Sequence, residues 1–342
     1  MDVSVIIPAY NEAKHIAACV RSVREAVATV ACQHPAVRWR TIVVDNNSTD
    51  DTAATVEEVA RYSTRPVRYM VETAPGKSAA LNTGIRQTAG DIVAFLDDDE
   101  IIAPGWFECL ARVLADERID FVSGRCLTMW GAIQPPAWLP RAYPAVIGGV
   151  DGGPKRLAFE REYDGTLSGG NSAIRRSVLA RVGAFSTRLG PRADGRLMSC
   201  EDEEIYLRLV DAGARGVYVP DLVVHHHVHA ERVTRRYHRR WCFWRGVSKA
   251  VVHAGRPADL PHVGGVPRFL YGAAARGLLM MIRPPVDSVA ASTRFNAELA
   301  LWDLSGFLYG RYLYRRNDPP QDRIRGEEAT TESARCGVAA AG

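Results

Sequence analysis

The chain predicts an α/β fold: a mostly parallel sheet flanked by helices, with a helical extension at its C-terminal end. Three observations predict it. Short apolar runs alternate with helical stretches over residues 1–125, which implies parallel strands covered on both faces. Three of those runs end abruptly in polar or acidic residues, at Pro8 to Glu12, Asp45 to Ser48 and Asp97 to Glu100. The 342 residues are 47% hydrophobic and 24% charged, the profile of a globular protein able to bury a core.

Residues 3–7 form a first apolar run closed by Pro8, and a helical stretch covers about 12–30. Residues 41–44 form a second buried strand ended by Asp45-Asn46-Asn47-Ser48. Thr49 or Asp50 then caps a helix over 51–62. Residues 67–71 read as a third strand, Pro75-Gly76 as a turn and 78–87 as a helix. The run Ile92-Val93-Ala94-Phe95-Leu96 is the fourth strand, and Pro104 starts another helix before a fifth strand at 121–124. In such sheets ligands bind beyond the carboxyl ends of the strands. All three polar strand ends lie on that rim.

Residues 126–165 are rich in Pro, Gly and Trp and predict a long irregular loop, a kind that is often functional. A helix is expected over 202–213, strands at 216–219 and 222–225, and a basic, aromatic helix over 231–254. The organisation reads as a ligand-binding α/β half (1–125), a second half of the same domain (126–255), a C-terminal helical region (256–316) and a disordered tail (317–342).

A net charge of +4 names no partner, but its distribution is uneven. Between His225 and Arg256 seven Arg and one Lys face a single acid, Glu231, which suggests an anionic partner there. Seven scattered cysteines without a C-x-x-C pair suggest reduced thiols and a cytoplasmic protein. No basic leader precedes the first apolar run, and no run of about 20 uncharged apolar residues predicts a spanning helix.

The four acids Asp97-Asp98-Asp99-Glu100 follow directly on a buried strand, where like charges repel. A solvated acidic turn accounts for such a run, and so does a divalent cation; oxygen-rich sites suit Mg²⁺ or Mn²⁺, which often also hold substrate phosphates. The surrounding motifs favour the cation. Val5-Ile6-Ile7-Pro8-Ala9-Tyr10-Asn11-Glu12, Val43-Val44-Asp45-Asn46-Asn47-Ser48, Gly76-Lys77 with Asn82-x-Gly84, Phe95-Leu96-Asp97-Asp98-Asp99 and Glu201-Asp202 occur in that order. Together they resemble a family-2 inverting glycosyltransferase of the GT-A fold, over about residues 3–250.

The resemblance implies a metal-dependent transfer of a sugar from a nucleotide-diphosphate donor, a UDP-sugar, to an acceptor hydroxyl, in cell-envelope or glycan biosynthesis. It places Pro8, Tyr10 and Glu12 in the nucleotide pocket. Asp45 accepts from the uracil N3–H, a role suited to an acceptor-only carboxylate; an Asx-turn closing the strand is its local alternative. Lys77 meets the diphosphate or stands as a solubilising lysine. Asp99 ligates Mn²⁺ or Mg²⁺, Asp97 sits near ribose or sugar, and Asp98 assists. Asp202 is the general base, although a carboxylate at a helix N-terminus also complements the helix dipole. One of His225, His226 and His227 completes the metal shell, with His226 favoured. Leu167 to Ser172 matches an acceptor-side segment. Arg235 to Trp241 only faintly matches the Q-x-x-R-W motif of processive synthases and lacks its glutamine, so a single transfer is expected.

The acceptor stays open among glycan, lipid-linked and small-molecule classes. Residues 264–316 mix apolar side chains with Arg268, Arg276 and Arg283, a pattern of peripheral membrane contact or of packing on the main domain. Two alternatives compete. Another sugar-nucleotide transferase on a related core predicts a glycine-rich N-terminal loop, which Ala9-Tyr10-Asn11-Glu12 is not. A nucleic-acid-binding protein explains the basic stretch, but its acidic rim would repel phosphate, so no nucleic-acid partner is expected.

Overall fold

The computed structural model describes residues 1–33, 37–61, 67–140, 143–160, 167–254, 256, 261–282 and 288–314. The tail expected to be disordered, and Arg283, lie outside them. The elements are β1 (Asp2–Ala9), α1 (Ile16–Gln33), β2 (Arg38–Asp45), α2 (Thr52–Arg61), β3 (Val67–Val71), α3 (Lys77–Arg86), β4 (Ile92–Phe95), β5 (Glu100–Ile102), α4 (Trp106–Leu114), β6 (Phe121–Met129), β7 (Leu157–Phe159), β8 (Ser172–Arg175), α5 (Arg176–Val182), α6 (Glu201–Asp211), β9 (Gly216–His227), α7 (Arg235–Val252), β10 (His262–Val263), β11 (Val266–Pro267), α8 (Arg268–Ile282) and α9 (Ser288–Tyr309).

One sheet runs in the order β3-β2-β1-β4-β8-β6-β9-β5, with β7 also paired to β9. β3, β2, β1 and β4 are parallel, as the strand–helix alternation predicts. β8 is antiparallel to both β4 and β6, while β6 and β9 are parallel. Side chains alternate between sheet faces. On β1, Val3, Val5 and Ile7 join the core under α1 and α4, whereas Ile6 joins the opposite core under α3 and α6. Burial on both faces explains why β1, β2 and β4 read as unbroken apolar runs.

Three expectations need correction. Residues 126–165 are not one irregular loop: β6 runs on to Met129, Cys126 bridges Val150, and β7 pairs with β9. The two strands expected at 216–225 are one, β9, with a register shift opposite Gly124 and Arg125. β5 and β8 were not foreseen; both pair antiparallel.

The C-terminal region packs as helices, with α9 lying on both α7 and α8. No helix among the described residues is long and apolar enough to cross a membrane.

Two motif residues serve this architecture. Asn82 donates to Phe185 O and accepts from Phe185 N–H, both at 2.8 Å. Gly84 seats α3 on β1: a Cβ there would lie 2.5 Å from Ile6 Cγ2. Gly84→Val is expected to cost about 1–3 kcal/mol of unfolding free energy by overpacking. Denaturant titration checks it, and an unchanged midpoint would mean that α3 is not seated this closely.

Candidate active site

The loops after β1 and β2 are laced together. Asn11 N–H donates to Ser48 Oγ at 2.9 Å, and Asn11 Oδ1 accepts from Thr49 N–H at 2.7 Å. Glu12 N–H donates to Thr52 Oγ1 at 2.9 Å, and Ala13 N–H to Asp50 Oδ2 at 3.1 Å. Among the described residues, three non-glycine positions have positive φ, Asn11 (52°), Asn47 (62°) and Cys200 (66°), and Asn11 and Cys200 line the site. Asparagine tolerates that conformation; at Cys200 it costs about 1–2 kcal/mol. Cys200 opens α6, immediately before Glu201 and Asp202.

The acidic run divides into four separate environments. Asp98 Oδ2 accepts from Tyr10 N–H at 3.0 Å. Glu100 is buried, accepts from Asp97 N–H at 3.0 Å, and faces Gly170, where a Cβ would fall 2.5 Å from its carboxylate. Burial, reinforced by the neighbouring carboxylates, pushes Asp98 and Glu100 well above the usual carboxylate range. Asp99 is also buried, but its Oδ2 lies 3.2 Å from His226 Nε2, 2.9 Å from His229 Nε2 and 3.6 Å from an Arg232 guanidinium nitrogen. Burial alone would raise it; His226, the His229 hydrogen bond and Arg232 hold it below the ordinary range instead.

Asp97 faces Lys77, whose Nζ lies 2.6 Å from Asp97 Oδ1 and 3.8 Å from Glu201 Oε1. Burial works against the lysine charge, yet Asp97 and Glu201 raise its value above the ordinary one. Asp202 Oδ1 accepts from Glu203 N–H at 2.8 Å. Burial and the adjacent Glu201 push the Asp202 carboxyl up to about 7, with Lys77 opposing.

Two cavities meet at this seam. One, of about 590 Å³, is lined by Pro8, Tyr10, Glu12, Asp98 and Asp99. The other, of about 560 Å³, is lined by Gly169, Gly170, Asp202, His226 and Trp241. Lys77, Asp97 and Arg232 line both. A larger cavity of about 1100 Å³ lies near the amino ends of β1 and β4 and contains none of the candidate residues.

The structure therefore brings Pro8, Tyr10, Glu12, Lys77, Asp97, Asp98, Asp99, Asp202 and His226 to one cleft. Asp45 stands apart. It is buried; Oδ1 accepts from Ser48 N–H at 2.7 Å and Oδ2 from Tyr69 O–H at 2.6 Å, the Asx-type closure read as its alternative. Asn171, in the segment matched to the acceptor side, clamps Arg125 O, Leu222 O and Trp106 Nε1, each at 2.8 Å, and is fully buried. His238 packs edge-on against Trp138 inside the α7 bundle.

Sequence reasoning missed Arg232, Glu201 as a partner of Lys77, and the histidines His15 and His229. Spacing was the available signal: His15 lies three residues after Glu12, and His229 two after His227.

The glycosyl transferase family 2 model matches residues 4–183, just over half of the chain. The chain belongs to this family. Over 272 residues it is 30% identical to the pre-mycofactocin glycosyltransferase of Mycobacterium tuberculosis, covering 77% of this chain and 51% of that one. It is 25% identical over 259 residues to the glucosyl-dolichyl phosphate glucuronosyltransferase of Haloferax volcanii, covering 74% of this chain and 77% of that one. The chain spans about half or less of the length of the first curated relatives it matches. Its fold is similar to that of a mannosyltransferase from Pyrobaculum calidifontis, solved in complex with GDP-Man and Mn²⁺, with a TM-score of 0.58, 22% identity and 91% and 87% of the two chains covered. The family-2 chain thus has the GT-A fold that its motifs implied.

Lys77→Met tests the seam. Removing one partner of a buried pair costs about 3–5 kcal/mol. Without the cation Glu201, already raised by burial, rises further. A carboxyl whose folded value exceeds its unfolded one contributes stability at low pH and loses it as pH rises. The loss should be largest at pH 8 and smaller at pH 5 in denaturant unfolding. Equal losses would remove charge pairing as the role of Lys77.

Proposed function

We propose that the protein moves a sugar from a nucleotide-diphosphate donor to an acceptor hydroxyl in one inverting displacement assisted by a divalent cation. The observation that carries this reading is the Lys77 seam, which sets Asp97, on the nucleotide side, and Glu201 and Asp202, on the other, around one ammonium.

Asp202 acts as general base in this reading. One oxygen is held by its own helix, and the other borders the open cavity, 3.6 Å from where a Gly169 Cβ would stand. A carboxyl near 7 suits proton uptake at neutral pH. Asp99 and His226 pair a carboxylate with an imidazole, a donor set that fits Mn²⁺ or Mg²⁺, and Arg232 and His229, gathered on Asp99, stand where a cation's charge would act. When bound, such an ion stabilises charge developing on the diphosphate oxygens. Asp97 lies toward ribose or sugar, and Lys77 and Arg232 flank the diphosphate. Pro8, Tyr10, Glu12 and Asp98 wall the nucleotide cavity. A UDP-sugar is the first donor to test; Asp45 would recognise uracil through the remaining lone pairs of oxygens already accepting from Ser48 and Tyr69.

The acceptor proposed is lipid-linked, met at the cytoplasmic face of a membrane. What supports this is α8, which exposes Phe269, Leu278, Leu279, Met280 and Ile282 beside the exposed Arg268 and Arg276. The nucleic-acid alternative is weakened, because three α7 arginines are engaged within the fold: Arg239 Nε lies 2.5 Å from Glu298, Arg245 lies 2.9 Å from Asp303, and Arg235 stacks over Trp138 and Phe295.

Asp202→Asn should lower kcat about 10²–10⁴-fold with donor Kd unchanged, measured by calorimetry and turnover; retained turnover removes the base from its role. In the wild type kcat/KM should fall as pH drops through about 7. UDP and GDP should raise Tm with Mn²⁺ and not with EDTA, and equal shifts in both conditions would sink the cation's part.

A further inference from the structure

Among the described residues, the one group of His, Cys, Asp and Glu side chains whose ligand atoms converge is Glu12, His15 and His229, all within 4.8 Å of one another. It is not the Asp99–His226 pair. We propose that these three residues form a second cation site, suited to Zn²⁺ or a similar borderline transition-metal ion.

The donor set is one carboxylate and two imidazoles. Two imidazoles in a set of three favour Zn²⁺, whereas Mn²⁺ and Mg²⁺ take sets led by carboxylate and phosphate oxygens. Zn–N and Zn–O bonds of about 2.0–2.2 Å put tetrahedral ligand atoms about 3.4 Å apart. The three side chains therefore need only small rotamer adjustments to close on one ion, leaving a fourth position for water or a phosphate oxygen.

The cluster is also built. Glu12 is pinned through its backbone to Thr52, and its carbonyl starts the turn that carries His15. Glu12 and His15 already contact each other through Oε1 and Nδ1. The His15 ring lies 4.3 Å from that of His227, which fixes its plane. His229 comes from the loop after β9 and is oriented by Asp99. Carboxylates that orient a ligating imidazole in this way raise metal affinity. The three side chains are 13%, 26% and 19% exposed, so the site is accessible without being loose.

Zn²⁺ at this site would draw His229 and Glu12 together across the mouth of the nucleotide-side cavity. An inhibitory action of Zn²⁺ on the proposed Mn²⁺-supported transfer follows. That consequence rests on the proposed function; the binding does not.

The test uses the full chain stripped of metal and titrated with Zn²⁺ alone, followed by calorimetry and by the visible spectrum of Co²⁺ as a substitute. One equivalent should bind, and His15→Gln should weaken it at least tenfold while leaving Tm intact. His15→Asn, a shorter change, should do the same and guards against misfolding of the first variant. If both variants bind Zn²⁺ like the wild type, or if only Asp99→Ala abolishes binding, the ion sits at Asp99–His226 and the proposal is wrong. Zn²⁺ inhibition of turnover should disappear in His15→Gln. If binding is lost in the variant but the wild type shows no transferase activity with any donor, the cation site stands and the functional reading fails.

Discussion

Six carboxylates, Asp97, Asp98, Asp99, Glu100, Glu201 and Asp202, converge where β4 ends and α6 begins, and burying them there requires that their repulsion be resolved. The resolution differs from residue to residue. Asp98 and Glu100 are pushed toward the protonated form by burial and by their neighbours. Asp99 keeps its charge against burial because two imidazoles and a guanidinium surround it. Asp97, Glu201 and Asp202 share one ammonium, Lys77. A strand as apolar as β4 must run into its loop at the sheet rim, so the acids cannot retreat to bulk solvent. The cations had to be brought to them, from α3 and from the segment after β9.

That requirement explains why α3 is held so rigidly. Its first residue is Lys77, and an error in its seating moves the ammonium relative to two carboxylates at once. Gly84 lets the helix lie directly against Ile6 of β1, and Asn82 locks it to Phe185. Motif residues up to about two turns along α3 from Lys77 thus act through the position of one charge.

The parallel half was legible because β1, β2 and β4 are buried on both faces and read as continuous apolar runs. β8 was not, because Ser172-Ala173-Ile174-Arg175 is short and half polar, and its hydroxyl-bearing residue is buried only by the strands on either side. β9 read as two strands because Pro220 lacks a ladder donor; the sheet accommodates it by a register shift. The carboxylates of the site could be found from the order of motifs. Lys77 and His226 came from the same motifs, but the pairing of Lys77 with Asp97 and Glu201 could not be read from them, nor could Arg232 and His229, which reach Asp99 from the segment after β9. Part of the basic stretch is spent inside the fold, which was illegible for the same reason: Glu298 and Asp303, which engage Arg239 and Arg245, lie 59 and 58 residues downstream.

Glu201 and Asp202 are adjacent yet end in different conditions, and the difference follows from helix geometry. Successive residues in the first turn point about 100° apart. One of the two therefore faces inward to Lys77 while its neighbour faces the cavity. Glu201 is buried and tied to the ammonium. Asp202 keeps one oxygen beside the open space bounded by Gly169 and carries a value raised by burial first and by Glu201's proximity second. The buried acid anchors the cation, and its repulsion adds to what burial does to the half-buried one. A site that needed a base near neutrality and a fixed positive charge beside it would obtain both from two consecutive carboxylates at one helix N-terminus, provided that the residue before them accepts a strained backbone. Cys200, at φ 66°, accepts it.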